Sequence, residues 1–415
     1  MKLSIGYGEG TQGINIPDNY IMDILEPNKI QIGLTGVDEV IRSIRNPIGT
    51  NKLNEIIKKG EKIVIVTSDL TRPLPSYEIL PPLLDELYGI GVKKEDITIV
   101  FALGSHRQHT EEEKIQLVGE RVYQEINCID SNAEDCIRMG VTKAGTPVDI
   151  FRIVAEADRR ICIGNIEYHY FAGYSGGSKA IMPGVSTPNA IQANHSNMIL
   201  EDAKAGKLVG NPVREDLNEA IKYCPIDFIV NVVLNEKKEI IYSVAGDFIK
   251  AHKEGCKFLD KIYKKEIREK ADIVIVSQGG APKDLNLYQV QKALDNAKHA
   301  IKDDGIIILV GSCIEGFGNN VFEQWMTEAR SPDELINRIN EKFTLGGHKA
   351  AAIALVLKKA KIYLVSDMDA ELVKSIFMEP YDDVQEAFND AIKELGNDIK
   401  VLVMPYGGST LPYLK

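Results

Sequence analysis

The run from Asn165 to His195, NIEYHYFAGYSGGSKAIMPGVSTPNAIQANH, concentrates the groups in this chain that could do chemistry. His169 and His195 bracket Lys179, and Gly173, Ser175, Gly176, Gly177 and Ser178 strip bulk from the approach to that lysine. A loop built this way lets backbone come close to a ligand and leaves the amine unobstructed. It suits one of two tasks: binding a phosphate, or presenting a lysine whose deprotonated amine forms a covalent link. As a phosphate loop of the GxxxxGK[ST] type it is deficient, with Ser178 where glycine is required and Ala180 where the magnesium-binding hydroxyl belongs. The stretch GSCIEGFG at 311–318 follows an expected strand but lacks the GxGxxG spacing of a dinucleotide site.

Apolar, β-branched runs predict strands at 62–67, 96–103, 159–164, 228–234, 239–244, 272–276, 305–310, 361–365 and 400–404. Several are continuous rather than alternating, as in strands covered on both faces. Helical patterns lie between them at 77–87, 110–118, 290–300 and 384–395, with a capping box formed by Thr110 and Glu113. This alternation predicts an α/β fold: two domains with largely parallel sheets flanked by helices. The charged, helical stretch 252–270 suggests a boundary there, giving domains 1–266 and 267–415. Residues 400–415 are strand-like and turn-rich, and can pack back on the N-terminal domain.

Ligands in open α/β sheets gather beyond the carboxyl ends of strands. Four polar sets fall at such places: Asp69, Leu70, Thr71 and Arg72; Ser105, His106 and Arg107; Glu167, Tyr168 and His169; and Ser277 and Gln278, with Gln289 and Lys292 following. If the first three strands share a sheet, Asp69, Arg72, His106 and His169 converge. Two histidines on separate strand ends can flank a substrate, one taking and one returning a proton. Arginine and lysine suit a carboxylate or phosphate, and a further histidine can hold nickel, zinc or copper. The set fits an enzyme acting on a small hydroxy or keto acid.

Each group also has a plain structural role open to it. Asp69 and Arg72 can form a turn and helix cap, His106 and His109 can be solvated loop residues, and His169 can be a hydrogen-bonded core residue. His195 falls on a helix begun by Thr187 and Pro188, where it can face solvent. His252 and His299 read as solvated faces, and His348 stays open.

Composition sets the outer bounds. Of 415 residues, 44% are hydrophobic and 26% charged, as in ordinary globular proteins, and the formal charge is −11. That balance argues against nucleic acid or an anionic membrane as the main partner. Six cysteines without a CxxC suggest neither a disulfide framework nor a zinc site, but reduced thiols of a cytoplasmic protein. MKLSIGYGEG lacks the apolar core of a signal peptide, and no run is long enough to span a membrane.

In order and spacing, Asp69-Leu-Thr-Arg72, Gly104-Ser-His106-Arg107, His169-Tyr-Phe-Ala-Gly-Tyr-Ser-Gly-Gly-Ser-Lys179, His195 and Tyr288-Gln289-Val-Gln-Lys292 resemble the nickel-pincer-nucleotide-dependent lactate racemases. The resemblance covers nearly the whole chain. It implies that Lys179 covalently holds the nickel(II) pyridinium-3,5-bisthiocarboxylate mononucleotide through a thioamide, and that His195 is the protein ligand of nickel. His106 and His169 become the acid/base pair, and Asp69, Leu70, Thr71 and Arg72 part of the cofactor pocket. Arg72, Gln289 and Lys292 then contact substrate, placing the active site in an inter-domain cleft. The implied reaction is racemisation of a 2-hydroxy acid, foremost lactate, and the implied partners are that small acid and the cofactor-assembly enzymes. Removing hydride rather than a proton from the substrate carbon avoids deprotonating a very weak acid, and the planar 2-keto acid takes hydride back on either face. Other members could act on longer, aromatic or sugar-derived 2-hydroxy acids. A non-catalytic nickel-cofactor or small-acid binding protein is the remaining reading, against which the intact histidine pair argues.

Overall fold

The computed structural model describes residues 1–415, which divide into two compact units, residues 30–261 and residues 1–29 with 262–415. No helix is long and apolar enough to cross a membrane. All six cysteines are free thiols.

In the 30–261 unit a six-stranded sheet runs in the order Ile240–Gly246, Phe228–Leu234, Arg159–Asn165, Ile63–Ser68, Ile97–Ala102, Asn127–Asp130. All neighbours are parallel except the first pair. The central strands are apolar on both faces because both faces are covered: Ile63, Ile65, Ile99, Phe101, Ile161 and Ile163 are buried on one face with Leu80, Leu83, Leu84 and Leu87 of the Ser76–Ile90 helix, and Val64, Val66, Val100 and Cys162 are buried on the other. From Ile63–Ser68 the chain fills one side of the sheet through Asn127–Asp130. It then returns to lay Arg159–Asn165 against the other side of Ile63–Ser68. The order therefore reverses between these two strands, and at such a switch point the flanking connections part to leave a crevice beyond the carboxyl ends.

The other unit carries a six-stranded parallel sheet in the order Glu379–Tyr381, Ala360–Val365, Ile301–Val310, Ala271–Ser277, Val401–Met404, Ile21–Ile24. Ile21–Ile24 pairs with Val401–Met404, so the first 29 residues belong with the C-terminal unit rather than with the N-terminal domain in which a reading along the sequence puts them. Leu411–Leu414 pairs in parallel with Lys264–Ile267. The C-terminal residues thus stay in their own unit instead of packing back on the N-terminal one. The helix expected over 252–270 ends at Tyr263, and Lys264–Ile267 is a strand. Partner strands far away in sequence decide both outcomes, and no local pattern reveals them.

Candidate active site

Asp69 and His106 follow the adjacent strands Ile63–Ser68 and Ile97–Ala102 and form a pair: the Nδ1–H of His106 donates to Asp69 Oδ2. Asp69 Oδ1 accepts from Thr71 twice, from its hydroxyl at 2.7 Å and its backbone N–H at 3.1 Å. Burial pushes the Asp69 carboxyl up, but the bonds from His106 and Thr71 and the charge of Arg72 outweigh it and hold the group below its usual range. An ionised Asp69 fixes the proton of His106 on Nδ1 and leaves Nε2 with a lone pair, the form of a base.

His109 is not a solvated loop residue. Its Nδ1–H donates to Asp130 Oδ1 at 2.7 Å and its Nε2 accepts from Leu70 N–H at 3.1 Å, which ties the Asp69–Arg72 turn to the end of Asn127–Asp130, beyond the intervening Ile97–Ala102.

His169 and Lys179 sit on one compact loop. His169 lies in a two-residue hairpin, Tyr168–His169 against Gly173–Tyr174. A Cβ on Gly173, where φ is +78°, would overlap the Lys207 carbonyl, so only glycine allows this turn. The His169 Nδ1 accepts from Ala172 N–H at 3.3 Å, which in a neutral ring leaves the proton on Nε2. Burial above all, with the charges of Arg72 and Arg214 in the same direction, holds His169 well below its ordinary pKa and therefore neutral. His106 thus presents a lone pair and His169 an N–H, the two complementary states of a proton-handling pair.

Lys179 follows in a four-residue 3₁₀ turn, Gly177–Ala180, rather than at the N-terminus of a longer helix. The phosphate-loop alternative therefore lacks its structural setting. Lys179 as a residue is half-buried, but its amine is surrounded by protein. Burial and the neighbouring Arg214 and Arg72 hold that amine well below the ordinary lysine range, against a weaker opposing pull from Glu167.

Thr187 caps the Pro188–His195 helix, accepting from Ala190 N–H at 3.3 Å, with Pro188 in the first turn. His195 closes the helix and is buried, not solvent-facing. Its Nδ1 lies 2.9 Å from Asn194 Oδ1. The Asn194 amide nitrogen donates to Val213 O at 3.2 Å and to Asp216 Oδ2 at 2.7 Å, so only its oxygen can face the imidazole. His195 is consequently the donor at Nδ1, and its Nε2 carries the lone pair a metal requires. Asp216 is itself held by the hydroxyls of Thr142 and Thr146.

Phe171 joins these groups. Its ring centroid is 4.5 Å from that of His169 and 4.9 Å from that of His195, and the Lys179 amine lies 5.8 Å from it. Arg72 acts electrostatically on Asp69, His169 and Lys179 alike, tying the His106 side to the Lys179 side. Sequence reasoning misses Phe171, Asn194, Arg214 and Asp216. The only available signal is a helix start, Asn211-Pro212, with polar residues on the turns behind it. In the other unit, Gln289 and Lys292 lie on the Leu287–Ala297 helix capped by Asn286. Gln289 is half-buried, its carbonyl accepting from Gln278 Nε2 at 2.7 Å, and Lys292 is exposed.

No group of three or more His, Cys, Asp or Glu is arranged to hold a metal ion. A metal here would need most of its donors from elsewhere, with one imidazole nitrogen from the protein. Groups able to move a proton, form a covalent bond and donate to a metal therefore meet at one switch point, with Arg72 and Arg214 acting on them. These properties define an α/β enzyme for small anionic molecules.

Comparison with known proteins gives the family. Residues 7–206 match the lactate racemase N-terminal domain and residues 267–411 the lactate racemase C-terminal domain. The lactate racemase of Thermoanaerobacterium thermosaccharolyticum is 35% identical over 99% of both chains, and that of Lactiplantibacillus plantarum 35% identical over 90% of both. The apoprotein structure of the Thermoanaerobacterium enzyme superposes with a TM-score of 0.90 at 34% identity, covering 99% of this chain and 100% of that one. A Thermotoga maritima protein shares the fold, with a TM-score of 0.64 at 20% identity over 91% of this chain and 97% of that one. The chain belongs to the lactate racemase family and is an isomerase.

Proposed function

We propose that this protein racemises lactate, with His106 and His169 handling the hydroxyl proton, Lys179 tethering a nickel-pincer nucleotide and His195 ligating its nickel. The observation that carries the reading is that His169, Lys179 and His195 gather around Phe171 while Arg72 links them to the His106–Asp69 pair, with the Lys179 amine held well below its ordinary range. The residues fit the cofactor. A neutral amine is what a covalent tether requires, one imidazole is what a sulfur-rich ligand supplied with the metal leaves open, and Arg72 and Arg214 oppose anionic groups.

The bound cofactor would supply the hydride acceptor. The chain supplies the rest. Arg72 attracts the substrate carboxylate. His106 Nε2 takes the hydroxyl proton of one enantiomer while Asp69 stabilises the resulting imidazolium. His169 returns a proton on the other face, and burial keeps water from the intermediate. Gln289 and Lys292 are assigned to substrate orientation. Asp69→Asn is expected to lower turnover by about 10²–10⁴-fold, as loss of general acid–base function does, with little change in thermal midpoint. Racemisation rates beside melting curves check this. Asp216→Asn is expected to cost about 1–3 kcal/mol of stability through an unsatisfied buried group. It is also expected to weaken nickel retention by about 10–100-fold, because Asn194 is then free to turn. Denaturant titration and nickel analysis after dialysis measure the two effects separately.

The deciding experiment is production with the cofactor-assembly enzymes, followed by intact mass, nickel content and chiral assay of a panel of 2-hydroxy acids. A mass adduct on Lys179, about one nickel per chain as a single-imidazole site requires, and inversion of lactate support the proposal. Tight acid binding without inversion by loaded protein would favour the binding-protein reading, and inversion of another acid alone would move the substrate.

A further inference from the structure

We propose that Arg214 is a positioning residue that holds the 172–178 loop leading to Lys179 through four hydrogen bonds and sets a buried positive charge in that loop before the cofactor is attached. The inference rests on the assignment of Lys179 as the tether. Arg214 lies on the Pro212–Ala220 helix and is 1% exposed, yet no carboxylate pairs with it. Its fork instead holds the loop that carries the lysine: Nε donates to Ala172 O at 3.1 Å, one terminal nitrogen to Gly176 O at 3.1 Å and Ser178 Oγ at 3.4 Å, and the other to Tyr174 O. A buried arginine ordinarily meets an acid. Here four neutral acceptors from residues 172–178 solvate it, so its charge is left without a carboxylate partner beside Ser178, the residue before Lys179, and acts on that amine.

The rest of the loop is braced so that this geometry persists. Asn231 Oδ1 accepts from Gly177 N–H at 2.8 Å, and Ser178 Oγ donates to Asn218 Oδ1 at 2.8 Å from the same helix as Arg214. His252 Nε2 donates to Ser175 O at 2.7 Å, and a Cβ on Gly177 would come within 3.1 Å of its ring. The expected solvated position of His252 is therefore overturned: it packs under the loop, and burial together with Arg214 pushes it down to about 3, which keeps it neutral. Burial also lowers Arg214, to about 10, so it remains charged at neutral pH. The charged groups acting on Lys179 are Arg214 from the helix, Arg72 from the turn after Ile63–Ser68, and Glu167 from the loop after Arg159–Asn165. The two arginines favour the neutral amine and Glu167 opposes them.

Attachment needs that form. The Nζ lone pair attacks the carboxyl carbon of a pyridine thiocarboxylic acid; a C–N bond forms and the C–O bond breaks. The oxygen leaves as water with one proton from the amine and one from the thioacid, and no redox partner is needed.

The test uses full-length apoprotein, trace-labelled with acetic anhydride from pH 6 to 10, with Lys179 read by peptide mass spectrometry against exposed Lys393. Lys179 is expected to reach half-maximal labelling at lower pH than Lys393. Arg214→Met should move that midpoint upward, and labelling near neutral pH should fall by about tenfold for every pH unit the midpoint rises. Arg214→Lys, which loses the fork but keeps the charge, should hold the midpoint low. Glu167→Gln, at an exposed side chain that carries no fold, should move it further down. An unchanged midpoint in Arg214→Met, matching midpoints in the Met and Lys variants, or no response to Glu167→Gln would each overturn the proposal. If labelling behaves as expected but loaded protein carries no adduct on Lys179, the tether assignment fails while the charge effect stands.

Discussion

Lys179→Ala is expected to give a folded protein that leaves production with the assembly enzymes bearing no mass adduct and shows no racemisation above background. The side chain contributes little to packing: the loop is held by Arg214, Asn231, Asn218 and His252, and the lysine offers an amine 5.8 Å from the Phe171 ring centroid. Melting temperature should therefore stay within a few degrees of wild type, the ordinary range for a substitution worth about 1 kcal/mol or less. Lys179→Arg separates side-chain length from nucleophilicity. Guanidinium stays protonated at any accessible pH, so this variant should also lack the adduct although its length is retained. An adduct on either variant would sink the tether assignment outright.

The second large effect is expected at the histidine pair. His106→Gln and His169→Gln should each lower racemisation by about 10²–10⁴-fold, the usual contribution of a placed acid or base. The double variant should lose little more than the worse single one, because inversion needs both groups in one cycle and residues acting as a unit are not additive. Cofactor mass and nickel content should be unchanged in all three, which separates a proton-handling defect from a loading defect. The two positions differ in their support. His106 relies on Asp69 for its tautomer, whereas His169 stays neutral through burial and the surrounding cations. His106→Gln, which retains only the cation-shielded His169, should therefore keep its residual rate down to a pH well below the ordinary imidazole range. A pH–rate profile for that variant measures this, and an acid limb within the ordinary imidazole range would contradict the assignment.

What a linear reading can recognise here is chemistry with a short local cause. The strand runs, the Thr110–Glu113 capping box and the Thr187-Pro188 helix start are local patterns, and the structure contains all of them. Residue types and spacing also mark Asp69, His106, His169, Lys179 and His195 as candidates, since chemistry restricts them to few side chains. Whether a given histidine is functional or merely packed is another matter. His252 and His109 carry no local sign that one braces the lysine loop and the other ties down the Asp69 turn.

Sequence alone thus determined the α/β class, the main strands of both sheets in their order, and a set of candidate side chains, because backbone periodicity and functional-group chemistry act over a few residues. Tertiary structure alone decided which strands became neighbours, and so where the strand order reverses. It assigned residues 1–29 to the distant C-terminal unit through pairing of Ile21–Ile24 with Val401–Met404. It also set the direction of the pKa shifts. Lys179 and His169 are held low mainly by burial, and Asp69 is held low by its bonds from His106 and Thr71. Coulomb and desolvation energies depend on distance through space, and a linear chain does not contain that distance until it folds.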